Sequence, residues 1–347
     1  MQTDPAIKVQ QSSADTVTSI DWHPSQNIFA VGSWDTVGRC FMVDGSGQAS
    51  SKLEMRHPEP IMDVCFNAVD GAQVFTCSTD KSIKVWDLAS QQSRDVGQHG
   101  DGVIGIKYVK EFNMLVSGSW DRSLAFWDWR APRQQLKTTL AQRVVDLDQK
   151  GNYVVAALEP RAVNIKSRFM VYDIRNPNTP FQDFESAMTE MITCIGINAN
   201  TEKICYGNST GRCGVQDVQT TKQTTSYFTR KPQGKKESFT FKSHRDMQAS
   251  ITYQVNCVAA HPTQHKTMFT AGSDGRWASW DIYQPKSIHS FQTPNRQPIT
   301  AMAINAQGNI LAYAQGYDWH KGYEYAPQAK VGEIFLQPLR PEHTATQ

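Results

Sequence analysis

The 347-residue sequence has no apolar run approaching the roughly 18 residues that would span a bilayer. Its first thirteen residues are polar and contain no apolar signal-peptide core, so a soluble, intracellular protein without membrane insertion is expected. It has no C-x-x-C pair. The seven cysteines, Cys40, Cys65, Cys77, Cys194, Cys205, Cys213 and Cys257, stand singly inside apolar strand patterns. Their odd number and isolation argue against a zinc ribbon or a disulfide framework, and they are expected as small core residues in a reducing compartment. There the Asn208-Ser209-Thr210 sequon would stay unused. Nor is there a strong charge of either sign: the net value of +2 gives no field that commits the chain to nucleic acid. No G-x-S-x-G and no paired metal-ligand spacing occur. Two phosphate-site lookalikes fail on context. Gly100-Asp101-Gly102-Val103-Ile104-Gly105 runs on into strand residues instead of a helix. His244-Arg245-Asp246 has Ile251 where a kinase loop needs Asn. No enzyme, cofactor or metal is expected.

What the sequence does have is one phrase repeated. Gly118-Ser119-Trp120-Asp121 leads to Trp127-Asp128, and Cys77-Ser78-Thr79-Asp80 leads to Trp86-Asp87. The offset is 41 residues for both the serines and the tryptophans. Gly32-Ser33-Trp34-Asp35 is a third copy, with Phe41 at the tryptophan position, and Gly272-Ser273-Asp274-Gly275 to Trp280-Asp281 is a fourth. Self-similarity at this period with a Trp-Asp mark predicts an all-β, seven-bladed WD40 β-propeller, four strands to a blade. Blades four and five are degenerate, carrying Tyr172-Asp173 and Gln216-Asp217, but Asp128, Asp173 and Asp217 keep spacings of 45 and 44. From Asp217 to Asp281 the interval is 64, so an insertion falls at 219–242, a basic loop punctuated by Gly and Pro.

The expected layout is an N-terminal extension over 1–14, a single propeller over 15–338 and a polar, loose tail over 339–347. Within the extension, Ile7-Lys8-Val9 alternates and is expected to close the ring by pairing into the last blade, because an open propeller would expose strand edges. Blade six is expected to start at Phe239-Thr240-Phe241.

Two complete polar sets recur, His57, Ser78, Asp80 and Trp86, then His99, Ser119, Asp121 and Trp127. In a WD-repeat protein they imply a buried network joining histidine, turn aspartate, serine and indole, since buried polar groups must be paired. Recurrence at one spacing in consecutive blades marks them as structural, not catalytic. The candidate binding rim comprises the residues after these serines: Trp34, Trp120, Arg122, Arg212, Asp274 and Arg276. Aromatic rings and arginines in exposed turns are the types that dominate binding hot spots. The bland alternative has Trp34 and Trp120 packing on the neighbouring blade. A separate basic region, with Lys235, Lys236, Lys242 and Arg245 beside Phe239, Phe241 and Trp280, is a candidate nucleic-acid or partner groove, against the plainer reading of a solvated loop over core rings.

The chain resembles the RNA-export propeller of the nuclear pore, the Gle/Rae type. The resemblance is carried by Asp21-Trp22-His23-Pro24 before Gly32-Ser33-Trp34-Asp35, by Phe239 to Arg245, by Ala271 to Arg276, and by Leu311-Ala312-Tyr313-Ala314 to Tyr317-Asp318-Trp319-His320-Lys321-Gly322. It implies a monomeric, non-enzymatic propeller in a heteromeric complex. Such proteins bind the GLEBS segment of a nucleoporin and take part in messenger RNA export and spindle assembly. The places implied are the nucleus, the nuclear pore complex at the nuclear envelope, and the cytoplasm. By the same resemblance, Trp34 and Arg212 would grip an acidic side chain of that segment, Arg245 and Trp280 match positions near the peptide or nucleic-acid groove, and RNA and checkpoint or spindle proteins would be further partners. Trp120, Arg122 and Arg276 join the peptide-binding rim by turn position and residue type. Where such proteins carry basic residues after Trp280-Asp281, this chain has Ile282, Tyr283 and Pro285. Val171 to Pro177 looks equally like the spindle-checkpoint propeller that binds checkpoint kinases through the same kind of peptide, which stays open as an alternative.

Overall fold

Each short stretch of alternating burial bounded by a polar turn forms a strand, and consecutive strands pair antiparallel through tight turns. In the computed structural model, which describes residues 6–10, 13–131, 133–218, 238–246, 248–284, 286–328 and 332–345, the described residues form seven four-stranded sheets and one two-stranded ribbon. The architecture is a seven-bladed propeller. Blade one runs from Val17–Trp22 to Ala49–Arg56, blade two from Ile61–Phe66 to Ser93–Gln98, and blade three from Val103–Val109 to Arg133–Thr139. Blade four spans Val144–Lys150 to Gln182–Glu185, and blade five Ile192–Ile197 to Ser238–Lys242. Blade six spans Val255–Ala260 to Lys286–Gln292. Blade seven takes three strands, Ile299–Ile304, Ile310–Gln315 and Glu333–Pro338, and its outer fourth from Ile7–Lys8, where Ile7 pairs with Leu336 and Lys8 with Phe335.

Two boundaries differ from the sequence expectation. Phe239-Thr240-Phe241 does not open blade six. It is the outer strand of blade five, with Phe241 opposite Cys213, because a propeller repeat in sequence starts one strand before its blade. The tail is not loose over its described part. Pro341–His343 forms a 3-10 turn with His343 1% exposed, and the Ala345 N–H donates to Thr267 Oγ1 at 2.8 Å.

The core lies between blades. Phe75, Cys77 and Ile83 of blade two pack on Ile106, Leu115 and Trp127 of blade three, and comparable clusters fill every other seam, including Val17 and Phe41 against Ala312 and Leu336 at the closure. No single blade could bury both of its faces alone. The seven inner strands surround a channel of about 1050 Å³. Each inner strand has a register shift at its second residue. At four seams the residue thus released donates to a carbonyl of the next blade: Thr18 to Ile61, Thr193 to Val255, Asn256 to Ile299 and Thr300 to Val17. Carboxylates of the inner strands reach across in the same sense. Asp21 accepts the Phe66 N–H, Asp63 that of Ile106, Asp146 that of Ile195 and Asp148 that of Ile197. Lys107 Nζ bonds Asp63 at 2.5 Å.

Candidate functional site

An antiparallel meander puts the turns between second and third strands on the same face as the connections between blades. Trp34, Trp120, Arg122, Arg212 and Arg276 all come from those turns, so they share that face. The turns have one geometry. Thr36, Lys81, Arg122, Gly211 and Gly275 occupy the same position with φ between 62° and 76°. Glycine is required at Gly211, where a Cβ would meet the His244 carbonyl oxygen at 2.3 Å, and at Gly275, where it would meet that of Gln297 at 2.6 Å. In both blades the next residue is the arginine, Arg212 or Arg276.

The polar sets beneath this face form a chain of bonds with one direction. In blade two His57 Nδ1 lies 2.8 Å from Asp80, His57 Nε2 lies 2.7 Å from Thr76 Oγ1, and the Trp86 indole donates to Thr76 at 2.9 Å. Burial drives the His57 pKa below its ordinary value although Asp80 opposes this. A neutral ring then donates from Nδ1 to the carboxylate and accepts at Nε2 from the threonine hydroxyl, leaving the threonine oxygen free to accept from the indole. Blade three repeats this with His99, Asp121, Ser117 and Trp127. For Asp121, burial is outweighed by hydrogen bonds from Lys137, Ser123 and the Gly100 N–H, which hold the carboxyl well below the usual range. The hydroxyl that joins ring to indole is therefore Thr76 or Ser117, two residues before the expected Ser78 and Ser119. Those serines instead lock the turn: Ser78 Oγ accepts the Asp80 N–H and donates to the Glu59 carbonyl, and Ser119 does the same with Asp121 and Gly102. Ser78 shares that face of the strand but stands at its end, where its hydroxyl meets the turn instead of the rings.

A third complete set was missed in the sequence. In blade six His244 bonds Asp274 and Thr270, and Trp280 donates to Thr270 at 2.9 Å. Its histidine is 30 residues from its aspartate instead of 22 or 23, so the spacing conceals it. Trp280, grouped above with a basic groove, has its polar atom engaged inside the blade and its ring against Phe241 at 4.6 Å.

Trp34 is 41% exposed at the channel mouth. Around the same mouth stand Trp319, 52% exposed, Met191, Arg143 and Glu159, residues that the repeat pattern gave no reason to select. Trp120 lines the mouth too but is half-buried, its ring lying over Gly102, just before the first strand of its own blade. Arg122 is exposed. Trp34 belongs to blade one and Arg212 to blade five, and the structure does not stack that guanidinium on that indole.

The arginines form their own group. Arg212 heads the third strand of blade five, beside the ribbon in which Arg245 pairs with Thr252 and Asp246 with Ile251. Between blades six and seven lies a cleft of about 780 Å³ lined by Arg245, Arg276, Arg296, Lys321, Asp246 and Asp274. Hydrogen bonds from the Ala249 and Gln248 N–H groups, with Arg296 and Arg276 nearby, lower the Asp246 pKa. Asp274 Oδ1 is taken by His244 at 2.8 Å, and Asp274 Oδ2 faces the Arg276 Nε at 4.0 Å in an ion pair. Among the described residues, the buried Nε atoms of Arg212, Arg245 and Arg276 have no hydrogen-bond acceptor. Lys242 is exposed opposite Arg212 on the neighbouring strand. Lys235 and Lys236 lie outside the described residues. Among the described residues no group of three His, Cys, Asp or Glu side chains could hold a metal ion, and no helix is long and apolar enough to cross a membrane.

The family model described as "WD domain, G-beta repeat" matches residues 6–41, 50–87 and 90–128. Protein Rae1 of Drosophila melanogaster is 34% identical over 335 residues, covering 93% of this chain and 91% of its own. The mRNA export factor GLE2 of Chaetomium thermophilum is 30% identical, with 94% and 88% covered. The poly(A)+ RNA export protein of Schizosaccharomyces pombe is 28% identical, with 96% and 90% covered.

Proposed function

Because the chain belongs to the Rae1 and GLE2 family of WD-repeat mRNA export factors, we propose that it is a non-enzymatic adaptor of messenger RNA export that holds an acidic segment of a nuclear-pore protein on the face described above. The observation that carries this is the arginine group of this face: the buried Nε atoms of Arg212 and Arg245 have no hydrogen-bond acceptor among the described residues, and that of Arg276 has only the Asp274 carboxylate at 4.0 Å. A buried unpaired donor costs about 1–3 kcal/mol, and a carboxylate that reaches it forms a charge-assisted bond of about 1.5–3 kcal/mol. The free protein thus stores an unsatisfied demand for anionic oxygen along an arc from blade five to blade seven. Exposed Trp34, Trp319 and Met191 beside that arc suit apolar residues of the same segment.

In this reading Arg212 and Arg276 contact carboxylates, while Trp34 contributes apolar area three blades away. The bound segment must therefore run across the face instead of plugging one pocket. A GLEBS-type peptide of a nucleoporin has this character, and with it as the ligand the working protein would sit at the nuclear pore. The relatives' names support the export role over the checkpoint alternative. The test is calorimetric titration with an acidic GLEBS-type peptide. One-to-one binding is expected, weakened by at least about thirtyfold in Arg212→Glu, equivalent to roughly 2 kcal/mol. Equal affinity in the variant, or no binding by the folded wild type, would overturn the proposal.

A further inference from the structure

The segment after the last strand is fastened to the ring by groups that are out of hydrogen-bond balance. Leu339 donates its N–H to the Asn309 carbonyl at 2.8 Å and packs on the apolar cluster of blades six and seven. The turn Pro341–His343 then lies against the outer strand of blade six, Lys286–Gln292. The His343 ring is buried, and its Nδ1 accepts the Arg340 backbone N–H at 3.0 Å. That bond fixes a neutral tautomer with the proton on Nε2, which leaves Nε2 no lone pair for a metal. Among the described residues, His343 Nε2 is buried with no acceptor. The ring of His289, from the outer strand, faces it at 4.5 Å between centroids, and its Nε2 is also buried and unpartnered. Trp277 flanks both, 5.4 Å from His289 and 5.7 Å from His343. Two residues on, the Ala345 N–H is held by Thr267 in a buried bond.

We propose that residues 339–345 form an acid-released latch over the seam between blades six and seven, with the facing imidazoles of His289 and His343 as its trigger. A proton on His343 must go to Nδ1, where it sets a donor against the Arg340 N–H and breaks the bond that shapes the turn. A proton on His289 places a cation against a buried ring. With both protonated, two positive charges stand 4.5 Å apart with little solvent between them. The charges that face the pair are few. Glu342 favours protonation of both rings and Arg340 opposes that of His343, while the blade-six strands contribute the uncharged Trp277 and Ser279. Burial, the largest influence on each, holds both rings below the ordinary histidine range. The latch therefore has its full strength at neutral pH and loses it as pH falls from about 6.5 through the folded-state values. Release uncovers the seat of Leu339 on the apolar cluster between blades six and seven.

The test is amide hydrogen exchange of the full-length protein at pH 7.5 and pH 5.0, corrected for the intrinsic rate. In the wild type the protection of His343, Thr344 and Ala345 should fall by at least about tenfold at the lower pH, equivalent to about 1.4 kcal/mol. His343→Phe keeps a ring beside Trp277 and leaves His289 as the one titrating ring of the pair, so its loss of protection at the lower pH should be smaller than that of the wild type. His289→Gln removes the facing charge and should show a smaller loss than the wild type. Constant wild-type protection across this range would overturn the latch. So would a loss in His289→Gln equal to that of the wild type, which decides the matter even where His343→Phe leaves the segment undocked at both pH values.

Discussion

Replacing Asp146 by Asn should stabilise the protein at pH 8 and change it much less at pH 5. The carboxyl faces the channel from an inner strand and its pKa is pushed up to about 7, chiefly by burial, against the opposing influence of Lys107 and the Ile195 and Leu147 N–H groups. In the unfolded chain it titrates near 3.9. The folded protein therefore keeps a proton that the unfolded chain gives up, and the associated stability is fully present below about pH 4 and lost as pH rises through 7. At about 1.4 kcal/mol per pKa unit, a displacement of about three units has a ceiling of roughly 4 kcal/mol. About two of those units fall between pH 5 and pH 8, and water in the channel screens the charge, so a difference of about 1–2 kcal/mol is expected. Asn keeps an oxygen for the Ile195 N–H and does not titrate. At about 2.1 cal/mol/K per residue, 1 kcal/mol shifts the melting temperature of a chain this long by about 1.4 °C. Urea unfolding followed by tryptophan fluorescence at the two pH values is the sharper assay. A variant less stable than wild type at pH 8, or an advantage that does not grow with pH, would refute the reasoning.

Thr76→Val should cost about 2–3 kcal/mol, because it leaves His57 Nε2 and the Trp86 N–H unpaired in the interior, whereas Ser78→Ala should cost about 1. The reverse order in urea melts would return the bridging role to the serine. Gly211→Ala, which meets the His244 carbonyl at 2.3 Å with φ at 70°, should cost about 2–4 kcal/mol. Gly322→Ala, with similar φ but open space, should cost about 1. Removing residues 1–10 should lower the unfolding free energy by about 2–3 kcal/mol through loss of buried Val9 and the pairing with Glu333–Pro338; an unchanged midpoint would show that the outer strand is dispensable.

The ring was legible in the sequence because its signals are local. A turn aspartate and a strand-end tryptophan lie within ten residues of each other, so their recurrence marks blades even where blades four and five have lost the indole. What escaped is what depends on partners far apart in the chain. Thr76 looks like any strand threonine until His57 and Trp86 are folded onto it. The His244, Asp274 and Thr270 set is spread by the Arg245–Thr252 ribbon, which lies between its histidine and its aspartate. Phe239 and Phe241 precede blade six in sequence but hydrogen-bond to blade five, a choice made by the edge of the Arg212–Asp217 strand. At the candidate site, Trp34 and Arg212 stood out by residue type and turn position. That the Nε atoms of three arginines are buried without hydrogen-bond acceptors among the described residues is a property of packing, which no spacing rule encodes.

The pairing of Ile7–Lys8 with Glu333–Pro338 also sets a clock on biosynthesis. Lys8 and its ion-pair partner Glu333 are separated by 325 positions. At translation rates of about 5–20 residues per second, the first strand waits roughly 15–65 seconds for its partner to emerge. Over that interval each completed blade presents an apolar face that only the next blade can cover. The finished ring has no open end, but every nascent form of it has one. The cell must therefore shield a moving hydrophobic edge until the last blade arrives.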